Sequence, residues 1–85
     1  MKLYLITQNL NNGWDTYDSA VVAAKSPRAA QLTHPDWCDT KSPWNGKEKD
    51  HYGCWVDADL VLVDYLGPAK KGTKAGVICA SFNAG

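Results

Sequence analysis

Apolar and polar positions alternate from the start of the chain. Over residues 3–7, Tyr4 and Ile6 fall on one side and Leu3, Leu5 and Thr7 on the other, which is the period of a β-strand. A turn follows at 9–13 (NLNNG), where the Asn-Asn-Gly run supplies residues that tolerate positive φ. Residues 17–24 (YDSAVVAA) read as a second strand, joined to the first as a hairpin. Ser26-Pro27 marks a helix start, because serine accepts from first-turn amides and proline fits the first helical position. Residues 28–33 continue the helix until His34-Pro35, since the residue before proline avoids the α region. Its apolar side (Ala29, Ala30, Leu32) is small, so a helix this short must dock on the sheet to persist.

Residues 60–66 (LVLVDYL) carry the strongest strand signal. Both faces are apolar, which fits a central strand covered on two sides or a strand with a partner-facing surface. At a sheet edge it could pair with a second copy. Gly67-Pro68 breaks it, 69–75 form a basic loop, and 76–82 (GVICASF) read as the last strand. The order predicts an α+β fold: a small antiparallel sheet of about four strands with one short helix on one face and a long Trp-rich loop.

The 85 residues make a single domain, 1–85, with one core. Nine basic and nine acidic side chains leave no net charge. That argues against a sequence-independent nucleic-acid binder, which carries a basic excess, and against an acidic DNA mimic. No sequence-specific nucleic-acid partner is expected. Three cysteines cannot all pair within one chain, and the opening MKLYLITQ lacks the apolar stretch and cleavage site of a secretory signal. No apolar run approaches the roughly 20 residues needed to span a bilayer, so no membrane association is expected. A cytoplasmic location with reduced thiols follows as the expectation.

The segment 37–55 holds three of the four tryptophans, Trp37, Trp44 and Trp55. A connection of this length is uncommon in a compact domain and is usually functional or disordered. One reading is a contact surface. Trp37, Trp44, Tyr52 and Trp55 supply rings that bury large area with few rotors, and Lys41, Lys47, Lys49, Lys70 and Lys71 supply charge around them. The alternative is that several rings complete a small core. A second constellation is a zinc set. His34 and Cys38, then His51 and Cys54, place two imidazoles and two thiols at spacings that permit a common tetrahedral ion. Each pair is mixed, unlike the usual zinc patterns, and buried apolar cysteines with exposed histidines account for the same residues. The expectation is therefore no cofactor, with this set as the alternative. Catalysis is not expected either: there is no phosphate loop, nucleophile elbow or triad order.

Three stretches carry a resemblance: YDSAVVAAKSPRAAQLTHP, VDYLG and GVICASFNAG. The chain resembles short, uncharacterised proteins encoded by tailed bacteriophages. The likeness covers both ends and is weak through the tryptophan segment, so it adds nothing to the histidines and cysteines. It implies action in the cytoplasm of an infected bacterium. The expectation is an accessory protein that binds and inhibits a host defence or enzyme complex, with anti-CRISPR as the specific class. Alternatives are a sponge for a defence-signalling nucleotide and a minor phage structural or assembly protein.

Overall fold

A computed structural model describes residues 1–37, 43–48 and 53–84. The strands are β1 (Lys2–Thr7), β2 (Thr16–Ala24), β3 (Leu62–Pro68) and β4 (Gly76–Asn83), with helix α1 (Pro27–Gln31) and a 3-10 turn at Ala58–Leu60. β1 and β2 form the expected antiparallel hairpin, from Lys2↔Ala24 to Thr7↔Ser19. β3 adds to the outer side of β1 and β4 to the outer side of β2, giving the order β3-β1-β2-β4. This is the small α+β architecture that the alternation predicts.

The strand with the strongest apolar signal is therefore an edge, not a centre. Leu62, Tyr65 and Leu66 of β3 are exposed. Because β3 and β4 lie at opposite edges, residues 69–75 cross the end of the sheet between them. The crossing is held by Ala69 N–H donating to Met1 O (3.1 Å) and by a turn from Lys70 to Thr73 (3.0 Å).

Local chemistry moves several boundaries. Ser26 caps α1, its hydroxyl accepting from Ala29 N–H at 3.1 Å. The helix closes at Gln31, short of His34-Pro35, because Thr33 N–H turns back to Ala30 O (3.0 Å). β3 begins two residues late because Leu60 and Val61 donate to Asp57 O and Ala58 O in the 3-10 turn. In the first turn the positive φ falls on Asp15 (58°) and not on Gly13.

One face of the sheet is covered. Tyr4 and Ile6 of β1 and Ala20, Val22 and Ala24 of β2 are buried there beneath Ala30 of α1. Most of these side chains are small, and a five-residue helix cannot fill the space above them. Trp44, Trp55, Val56, Ala58 and Val61 fill it instead. Each tryptophan removes about 150–250 Å² from water, an upper bound of about 4–6 kcal/mol apiece. A domain of this kind has a net stability of about 5–15 kcal/mol, so the segments bearing these rings are part of the fold. Trp44 and Trp55, expected among the contact residues, are core residues.

Polar groups fix those segments to the hairpin. Gln8, buried at the end of β1, donates to Asn11 O and Tyr17 O and accepts from Leu10 N–H and Asn11 N–H. Asn11 in turn donates to Gly53 O (2.6 Å) and Trp55 O (3.0 Å). Tyr17 N–H donates to Cys54 O at 2.9 Å. On the other side of the core, Ala58 N–H donates to Gly46 O at 2.9 Å. Gly46 has φ +86°, and a Cβ there would stand 3.4 Å from Ala58 Cβ. That separation is ordinary van der Waals contact, so it is the positive φ that favours glycine at this point.

Replacing Trp55 by alanine should cost about 3–5 kcal/mol in denaturant unfolding. Trp14→Ala, at a ring that is 79% exposed, should stay within about 0.5 kcal/mol of the parent. Gly46→Ala should cost about 1–2 kcal/mol in the same assay, from backbone strain at positive φ.

Candidate functional site

Beyond α1 the chain turns at His34–Asp36 and delivers the His34 imidazole into the protein, almost fully buried. Asp36 N–H donates to Nδ1 at 2.9 Å, so Nδ1 carries no proton and the ring proton is assigned to Nε2. Nε2 faces Glu48 Oε1 at 2.7 Å. The Trp44 ring stands edge-on to the imidazole, with centroids 4.9 Å apart, and Trp37 lies at 6.3 Å.

Glu48 is the centre of this arrangement. Its carboxylate is buried, as an acid rarely is without partners. Oε1 accepts from His34 and Oε2 accepts from Trp55 N–H at 2.8 Å. Its own N–H donates to Asp57 Oδ1 at 2.8 Å. The Cys54 thiol, also buried, lies beside the same carboxylate. Donor atoms of His34, Glu48 and Cys54 all fall within 4.8 Å of one another. Burial, then the charge on Glu48, then that on Asp36, push the Cys54 thiol up to about 11. Asp36 also accepts from the Tyr17 hydroxyl at 3.2 Å, and burial together with that carboxylate raises Tyr17 above the usual phenol range.

This chemistry is not that of an activated nucleophile. A catalytic thiol needs an acceptor for its proton, and a lowered pKa. Here the protonated imidazole nitrogen faces Glu48, and the unprotonated one is occupied by a backbone amide. Cys54 stays a thiol at neutral pH.

Of the expected zinc set, the structure brings His34 and Cys54 together, with Cys38 and His51 outside the described residues. Glu48 takes a place that sequence reasoning did not give it, because a glutamate in GKEKD reads as solvated. Among the expected contact residues, Lys41, Lys49 and Tyr52 lie outside the described residues. Lys47, Lys70 and Lys71 are exposed, the last two on the crossing after β3. Trp37 is half-buried and lines a groove of about 570 Å³ together with Leu32, His34, Trp44 and Val77. Trp44 and Trp55 are not presented to solvent, for the packing reason given above. The exposed large apolar side chains are Leu62, Tyr65 and Leu66 on β3, Val77, Ile78 and Phe82 on β4, and Met1, Leu10, Trp14, Leu32 and Leu60 outside the strands.

Comparison with protein-family models, curated proteins and solved structures finds no match. Among the described residues no helix is long and apolar enough to cross a membrane.

The two described thiols should separate cleanly in reactivity. Under native conditions, peptide-resolved mass spectrometry after brief iodoacetamide treatment should find Cys79, exposed on β4, modified at least tenfold faster than Cys54. Equal rates would show that Cys54 is neither buried nor held as a thiol.

Proposed function

We propose that this chain is a phage accessory protein that acts by binding, without catalysis of its own, and inhibits a bacterial host defence or enzyme complex. A CRISPR effector is the specific target class. The observation that carries this reading is strand β4. Among the described residues it is the outer edge of the sheet, eight residues long, without a charged residue or a proline. Such edges are normally blunted by lysine, proline, a bulge or cover; β4 has one bulge but neither charge nor proline, and an edge of this kind is a template for another chain. The opposite edge, β3, carries Asp64 and ends in Pro68. The register leaves Ile78 as the extra residue of a bulge between Val77 and Cys79, with its side chain exposed. Phe82 stands half-exposed further along, its ring 4.7 Å from Tyr17. Backbone groups for pairing and apolar side chains for anchoring thus occur on one strand. In this reading the aromatic segment of 37–55 closes the core and supports the surface, and the lysines at 70 and 71 steer acidic partners.

A second reading, capture of a defence-signalling nucleotide, draws on the groove beside Trp37 and Trp44, where a base could stack. None of the described lysines lines that groove, which places it second.

The test is a tagged pull-down from bacterial lysates that contain intact defence complexes. One stoichiometric partner should survive moderate salt. Ile78→Lys should reduce its capture at least tenfold while the melting temperature is unchanged, because the charge stands on an exposed edge. Full capture by Ile78→Lys would move the contact away from β4. A blank in every lysate, with heat released on calorimetric titration of cyclic dinucleotides or ADP-ribose derivatives, would replace inhibition by nucleotide capture.

A further inference from the structure

We infer that His34, Glu48 and Cys54 form a binding site for a thiophilic divalent cation of the zinc class. An imidazole, a carboxylate and a thiol are the three ligand types that zinc takes in proteins. Here they come from three separate stretches, 14 and 6 residues apart in sequence, and meet inside the protein with donor atoms within 4.8 Å of one another. Ligands on one tetrahedral zinc stand about 3–4 Å apart, given bonds of about 2.0–2.3 Å. Small side-chain shifts therefore close the set around one ion. The 2.7 Å separation of His34 Nε2 and Glu48 Oε1 is that of two atoms bridged by a proton, and the cation takes the proton's place.

Charge balance suits the interior. One carboxylate and one thiolate neutralise a dication, so the loaded site adds no net charge to a buried location. On loading, the Cys54 thiol releases its proton to solvent. The His34 ring keeps one proton, which moves from Nε2 to Nδ1, and Asp36 N–H gives up its contact there. One proton thus leaves per ion bound, and no redox step occurs. Three protein ligands leave one tetrahedral position for a further ligand. A structural role follows from the placement, because the ion would join the exit of α1 to the segments that carry Trp44 and Trp55 into the core.

The experiment uses the full chain, stripped with a chelator and titrated with Co²⁺. One equivalent should produce a thiolate-to-cobalt charge-transfer band in the near ultraviolet and the visible bands of tetrahedral cobalt, both displaced by Zn²⁺. Cys54→Ser should abolish the charge-transfer band, and Cys79→Ser, at an exposed position on β4, should keep it. Absence of the band in the parent, or its survival in Cys54→Ser, would overturn the assignment. Should Cys54→Ser fail to fold by circular dichroism, X-ray absorption of the zinc-loaded parent decides. A first shell with sulfur and imidazole supports the site, and a shell lacking either one overturns it.

Discussion

A buried carboxylate is the constraint around which this small protein is organised. Glu48 cannot leave water without donors, and it finds them at the end of α1, on the backbone of Trp55 and beside Cys54. Satisfying one charge therefore fixes three stretches of chain at once. The same act sets the two tryptophans over the sheet, because Trp44 packs on the imidazole and Trp55 follows the amide that Glu48 holds. Polar satisfaction and apolar burial are coupled here. A chain of 85 residues with a five-residue helix has little else with which to cover a four-stranded sheet.

The hairpin supports that network from below. Asn11, held in the β1–β2 turn by Gln8, reaches to the backbone of Gly53 and Trp55, and Tyr17 pairs with Cys54. The sheet and the irregular segments above it thus share hydrogen bonds as well as a core. Among the described residues, the exposed apolar side chains lie mostly at the periphery of the sheet. The two edge strands carry most of the exposed large apolar side chains, and only one edge is defended by an acid and a proline. Binding through an edge would leave the packing of the core undisturbed.

The strands and the capped helix were legible in the sequence, because alternation and the Ser-Pro start are local signals. Strand order was not. Alternation in LVLVDYL reports two apolar faces but carries no information on which neighbours pair, and β3 lies at an edge. The roles of Trp44 and Trp55 were equally hidden. Irregular backbone has no period, so a core ring and a contact ring look alike there. Within the candidate site, His34 and Cys54 could be picked out as ligand types. Glu48 could not, because flanking lysines give it the appearance of a solvated acid, and only the fold reveals its burial. A cluster assembled from residues far apart in sequence is a tertiary fact with no local signature.

The measurement that bears most directly on this account is the unfolding free energy of Glu48→Gln, compared with the parent in urea. The side chain keeps its shape, but it loses its charge and an acceptor to two buried donors. The account predicts a loss of about 2–4 kcal/mol, in line with breaking a buried, hydrogen-bonded pair. A change within about 0.5 kcal/mol, the size expected of a surface substitution, would contradict it and return Glu48 to the solvated role that its sequence context implies.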